Sequence, residues 1–118
     1  MEMKSISGLT FYIKDLETTS KFYETLGFRI GTREPDYVKI YLNWFSVDFR
    51  PAAESPHKIN NREAGILVNI KVANVDEFYE GVVAKGLEPS SQPHDFKGGV
   101  RKFLMEDPDG NKLIFFYK

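Results

Sequence analysis

The chain repeats itself at half its length. The run Phe11-Tyr12-Ile13-Lys14-Asp15-Leu16-Glu17, continuing to Leu26-Gly27-Phe28, is echoed by Ile70-Lys71-Val72-Ala73-Asn74-Val75-Asp76, continuing to Lys85-Gly86-Leu87. Asp15 and Asn74 stand 59 residues apart, as do Gly27 and Gly86, in a chain of 118. Such self-similarity marks one supersecondary unit used twice, and it constrains the fold more than any single motif does.

Each unit opens on a strand. Leu9, Phe11 and Ile13 alternate with Thr10, Tyr12 and Lys14, and Val68, Ile70 and Val72 alternate with Asn69 and Lys71. Period two places each set on its own face. Asp15 and Asn74 can accept from the first free helical N–H groups, so a helix is expected after each. Leu16, Thr19, Phe22, Tyr23 and Leu26 recur at helical spacing, as do Val75, Phe78, Tyr79, Val82 and Val83. Gly27 and Gly86 supply the left-handed residue that ends a helix. Three strands then follow in each unit: Phe28–Thr32, Tyr37–Leu42 and Phe45–Arg50, then Leu87–Ser91, Val100–Met105 and Lys112–Tyr117. Pro89 and Pro93 make Leu87–Ser91 an edge strand or a loop. Asp107-Pro108-Asp109-Gly110-Asn111 reads as a turn, because Pro presets φ and Gly accepts φ > 0. Asn43-Trp44 is the matching turn in the first unit.

The expected fold is α+β: two βαβββ modules, over about residues 5–50 and 66–118, joined by a linker over 51–65. The length suits a single domain over 1–118. Sixteen basic residues face seventeen acidic ones, and no basic cluster interrupts the pattern, so neither nucleic acid nor an anionic membrane is an expected partner. No apolar run approaches the roughly 20 residues that span a bilayer. The stretch Met1–Ser5 has no apolar signal core, and the absence of cysteine rules out thiol nucleophiles, disulfides and Cys-based zinc sites. Cytoplasmic localisation is the expectation.

The opening Tyr12-Ile13-Lys14-Asp15-Leu16 with Phe22-Tyr23 and Leu26-Gly27-Phe28, the run Gly99-Val100-Arg101-Lys102-Phe103, and the closing Glu106-Asp107-Pro108-Asp109-Gly110-Asn111 together resemble the glyoxalase / bleomycin-resistance / extradiol-dioxygenase superfamily, the vicinal oxygen chelate fold. The resemblance covers nearly the whole chain. It implies curved mixed sheets forming half-barrels, helices outside, and two modules paired around a cavity. It also implies a homodimer, since open sheet edges are normally covered and such proteins commonly complete their cavity across two chains.

Metal-dependent members hold a divalent ion on His and Glu side chains. Carried onto this sequence, the ligand positions fall at Gly8, seven residues before Asp15; at Leu67, 59 residues on; at Ile114, four residues after Gly110; and at Asp48. Only Asp48 has a ligand atom, whereas a catalytic ion normally needs about three. No metal and no cofactor is therefore expected, and no catalytic residue is assigned. His57, beside Pro56, and His94, beside Pro93, read as loop histidines; a relocated metal would have to use Asp48, His94 and Glu106. The Asp107–Gly110 run lacks the later acids of a calcium loop.

The register that puts Ser46, Asp48 and Arg50 on the cavity side turns Phe45, Val47 and Phe49 toward the helix. By the same alternation the predicted ligand-binding residues are Thr10, Tyr12, Asp48, Asn69, Lys71, Ile114 and Phe116, with Tyr37 and Trp44, and Phe96 beside them, at the rim. A lined pocket with a few polar groups is what small-ligand sites look like. The competing reading is that these aromatics fill the half-barrel. Asp48 and Lys71 are expected to orient a polar or basic ligand.

Two functions follow. The favoured one is a metal-free binder that sequesters a small aromatic or planar compound, with a drug-resistance role. The alternative is a lyase, isomerase or dioxygenase with a divergent or relocated metal site. The balanced charge argues against bleomycin itself, because binders of that cationic drug tend to be markedly acidic.

Overall fold

The alternation of Leu9, Phe11 and Ile13 becomes the first strand, β1 (Gly8–Ile13), of a computed structural model that describes residues 1–118. Asp15 is extended, and its carboxylate accepts the Thr18 hydroxyl at 2.8 Å and the Glu17 amide at 3.0 Å. Those two donors hold its carboxyl below the ordinary carboxylate range. Helix α1 (Leu16–Leu26) starts there and ends at Gly27, whose φ of 109° few other residues could adopt. Strands β2 (Arg29–Glu34), β3 (Tyr37–Leu42) and β4 (Phe45–Pro51) complete the unit.

The spatial order is β1-β4-β3-β2. β4 lies parallel to β1, with Thr10 opposite Asp48, and β3 is antiparallel to both β4 and β2. The sheet is open and curved. Its helix side carries the core: Ile13, Val38, Ile40 and Phe49 are buried, and the Tyr23 ring of α1 lies 5.0 Å from that of Phe49.

The second unit repeats the plan. β5 (Leu67–Lys71), α2 (Val75–Ala84), β6 (His94–Phe96), β7 (Val100–Glu106) and β8 (Lys112–Tyr117) form a sheet ordered β5-β8-β7-β6, with β5 and β8 parallel. The Asn74 side chain caps α2 by accepting the Glu77 amide at 3.0 Å. Phe103, Met105, Leu113 and Phe115 are buried beneath α2, and Phe78 of the helix packs on Phe115 at 4.6 Å. The two compact units are Met1–Ile59 and Asn60–Lys118, and short 3₁₀ turns at Ala52–Glu54 and Asn61–Glu63 lie on either side of that boundary.

Three expectations change. The strand placed at Leu87–Ser91 is absent, and the edge strand is β6, further along the chain. The Ser90 and Ser91 amides both donate to the Leu104 carbonyl, and the Leu104 amide donates to Ser91 Oγ at 3.0 Å. That segment is pinned at one point instead of zipped along a ladder, as befits a stretch between two prolines that have no N–H to give. His94 is consequently the first residue of a strand and not part of a loop. Val83 is 48% exposed and lies off the buried stripe of α2, which runs through Val75 and Val82.

Candidate functional site

In the first unit the sheet face turned away from α1 carries the polar residues. Asp48 occupies the centre of β4. Its Oδ1 accepts the Thr10 hydroxyl from β1 at 2.9 Å, and its Oδ2 lies 3.5 Å from Arg50 Nε. The Asp48 side chain is only 18% exposed. The Arg50 guanidinium lies 4.7 Å from the ring centre of Tyr37 on β3. Two residues along β3, Lys39 stands opposite Asp48, and its ammonium is 5.8 Å from the same ring centre. A hydrogen bond to the Tyr37 hydroxyl is the largest reason the Lys39 pKa is raised; Tyr37, Tyr41 and Asp48 add to it electrostatically. Next along the strand, Tyr41 lies under Arg29 of β2 at 5.7 Å. A side chain at Gly31 would put its Cβ 2.1 Å from that ring, so a glycine at the β2 bulge is what lets Tyr41 lie flat.

Thr10, Tyr12, Tyr37 and Asp48, all predicted from the sequence, are thus brought onto one face of one sheet, Tyr12 by its pairing with Arg50. Trp44 is not gathered with them. It sits 75% exposed on the β3–β4 turn, packed edge-on against Phe45. Tyr37 opens β3 while Trp44 follows its end, which separates them by roughly 20 Å of strand.

In the second unit the face away from α2 holds Asn69, opposite Ile114, and Lys71, opposite Phe116. Ile114 is buried and Phe116 half-buried. Lys71 reaches the ring of Tyr117 at 5.3 Å. Lys102 of β7 lies opposite Phe116 and stands 4.2 Å from the ring centre of Phe96. Arg29, Lys39, Tyr41 and Lys102 were missing from the predicted set. The signal was there: in β3, Lys39 and Tyr41 share one alternation with Tyr37, which the sequence placed at the rim.

The four positions that the resemblance gives to a metal do not fit one. Gly8 has no side chain, and a Cβ there would meet the Ser46 carbonyl oxygen at 2.2 Å. Leu67 and Ile114 present only hydrocarbon, and the Asp48 carboxylate already has Thr10 and Arg50. Within each unit no three His, Asp or Glu side chains come together as a ligand cluster. Glu106 is ion-paired with Arg62, and His94 is exposed with its ring nitrogen Nδ1 against the Gln92 carbonyl. Asp107, which the calcium-loop pattern would have used, is buried in its own turn. It accepts the amides of Asp109 at 2.9 Å and Asn111 at 2.8 Å and the Asn111 side chain at 2.8 Å.

An open groove of about 350 Å³ lies on the helix side of the first unit, lined among others by Leu16, Ser20, Arg33, Glu34 and Pro35. None of the predicted ligand-binding residues lines it. No helix is long and apolar enough to cross a membrane.

Residues 5–115 match the Glyoxalase/Bleomycin resistance protein/Dioxygenase superfamily. An uncharacterized protein of Mycolicibacterium smegmatis is 30% identical over 103 residues, which cover 87% of this chain and 84% of that one. Among solved structures, a lactoylglutathione lyase from Agrobacterium tumefaciens superposes with a TM-score of 0.78 at 18% identity, covering 98% of this chain and 95% of the other. A bleomycin-binding protein complexed with bleomycin superposes with a TM-score of 0.73 at 19% identity, covering 98% and 99%. At such identities the superpositions speak for the fold alone.

Proposed function

The chain belongs to the Glyoxalase/Bleomycin resistance protein/Dioxygenase superfamily, and we propose that it is a metal-free member that binds a small aromatic or planar compound. One observation carries this reading. Asp48, the one residue with a donor atom among the four inferred metal positions, has its carboxylate engaged by Thr10 and Arg50, while tyrosines and cations surround it on the same face. Aromatic and apolar surface supplies binding energy through burial and ring stacking without any ion. The proposed ligand-contacting residues are Thr10, Tyr12, Tyr37 and Asp48 in the first unit, with Trp44 reached only by a ligand at the turn end of that sheet, and Asn69, Lys71, Ile114 and Phe116 in the second. A drug-resistance role by sequestration is part of the proposal.

A thermal-shift screen of aromatic and planar compounds tests it, since a ligand that binds only the folded state raises the melting temperature by mass action. Binding with no turnover, unaffected by dialysis against a chelator, is the expected result. If no compound moves the melting temperature, the tyrosines and phenylalanines merely fill the sheets. If added metal brings turnover, the superfamily's enzyme chemistry is the better account. Trp44 emission locates the ligand: a change places it at the turn end of the first sheet, and no change places it at the Tyr37 end.

We also propose a cytoplasmic homodimer built from a single domain per chain. The edge strands β1 and β2 of one sheet, and β5 and β6 of the other, leave backbone groups for a partner strand or covering element. Light scattering should return twice the monomer mass, and calorimetry a single cooperative unfolding transition.

A further inference from the structure

The charge on the first sheet's open face is net positive, three cations against the two carboxylates of Asp48 and Glu34, although the whole chain is nearly neutral at −1. Arg29, Lys39 and Arg50 come from the three adjacent strands β2, β3 and β4, and each lies over a tyrosine ring. Asp48 is the carboxylate among them. Its Oδ2 lies 3.5 Å from Arg50 Nε. Glu34, opposite Tyr37 at the end of β2, is a second carboxylate of this face by register, and it also lines the groove beside α1. The other acids in ion pairs, Glu17, Asp76, Asp95 and Glu106, are matched with Arg33, Arg101 and Arg62 away from this face.

The tyrosine rings hold the cations in place. A cation over a ring face is attracted by the ring quadrupole but keeps its full charge. The hydrogen bond to Tyr37 and the surrounding oxygens also keep Lys39 protonated. Positive charge is therefore present, oriented and only partly balanced on a surface rich in aromatic rings. The second unit also sets one cation against a ring, Lys102 over Phe96.

We propose that the ligand is a planar or aromatic anion, its carboxylate, sulfonate or phosphate group bound by Lys39 and Arg50 and its ring system lying against Tyr37 and Tyr41. This rests on the small-molecule binder reading and reverses the polar or basic ligand expected from the sequence. Asp48, which the sequence alone offers as the anchor for a cation, is a positioning residue that orients Arg50.

A matched trio of dyes tests the charge separately from the binding. 8-Anilinonaphthalene-1-sulfonate and N-phenyl-1-naphthylamine share their rings and differ by the sulfonate; proflavine is a planar cation. The sulfonate should bind at least about tenfold more tightly than the neutral amine, the range of a charge-assisted contact. Lys39→Gln should remove roughly three- to tenfold of that preference and leave the amine unchanged, whereas Lys39→Arg should retain it. Raising the salt from about 0.05 M to about 0.5 M should shrink the preference in the native protein, because exposed charges are screened. Equal binding of the two naphthyl dyes, or tighter binding of proflavine, would overturn the anion assignment and leave the binder reading standing. Failure of all three dyes, and of every compound in the thermal-shift screen, to bind the folded protein would sink both.

Discussion

The two units share one face and differ on the other. On the helix side the repeat is close: Tyr23 against Phe49 in the first unit and Phe78 against Phe115 in the second do the same packing, and each helix starts from an Asx cap 59 residues from its twin. On the open side little is shared. The first unit has Gly8 and Gly31, three tyrosines and a cation cluster around Asp48; the second has Ile114, Phe116 and lysines, with its polar hub moved into the Asp107 turn. The core face of such a unit is constrained by close packing, where a change of one methylene is felt. The open face has no such constraint, so that is where the repeats can diverge and where ligand chemistry can be placed.

That contrast can be broken at several points. The largest effects should fall on the shared side. Phe49 and Phe115 are 0% and 1% exposed, so Phe49→Ala and Phe115→Ala should each lower the unfolding free energy by about 3–5 kcal/mol in denaturant titrations. A loss in one unit several-fold smaller than in the other would show that the two cores are not equivalent. Next come the hairpin turns. Asp107→Ala orphans the Asp109 and Asn111 amides and should cost about 2–3 kcal/mol. Asn43→Gly, at an exposed two-residue turn with φ of 56°, should change stability by less than about 0.5 kcal/mol.

The pair Gly8 and Leu67 is a sharper probe, because the two positions correspond by the repeat. Gly8→Ala drives a methyl group into the Ser46 carbonyl and should cost about 1–3 kcal/mol. Leu67→Ala, at a position 48% exposed, should cost under about 1 kcal/mol. Equal costs would mean that β1 and β4 can move apart and that the close approach is soft.

The smallest effect is electrostatic. Arg101 binds Asp76 through two bonds of 2.9 Å and Asp95 through one of 3.0 Å, tying the start of α2 to β7 and β6. The bonds from Arg101 are the largest reason the Asp76 carboxyl sits below its ordinary value of 3.8. A carboxyl whose folded pKa is depressed contributes stability above its unfolded pKa and loses it as pH falls through the folded value. Asp76→Asn should therefore lower the melting temperature slightly at pH 7, and the gap to the native protein should close below about pH 4. A gap that does not narrow at all as the pH falls from about 7 to about 2 would assign the effect to packing instead of charge.

The strand-helix-strand plan, both caps, both glycine terminators and the helix-facing rows were legible in the sequence because each is set by spacing within a few residues. Period two in β1 and β4, period 3.6 in α1 and the 59-residue echo each follow from local backbone geometry. The edge strand of the second sheet was not legible. Between Pro89 and Pro93 nothing local distinguishes a loop from a weak strand, and pairing with β7 put β6 at His94–Phe96. The superfamily was likewise readable from the opening run Tyr12–Leu16 and the closing run Glu106–Asn111, and the resemblance carried its ligand positions onto Gly8, Leu67 and Ile114.

What only the tertiary structure decided is the electrical character of the site. The sequence names Asp48 and Lys71 as charges on the open faces but cannot say which charges are already matched. Register placed Asp48 beside Thr10 and Arg50, and Lys39 and Arg50 over Tyr37, from residues up to 40 positions apart. Asp48 with Arg50 and Lys39 with Tyr37 are two residues apart on one strand and follow from its period, but Thr10 against Asp48 and Arg50 over Tyr37 depend on distances across strands, which sheet order fixes and no spacing along the chain encodes.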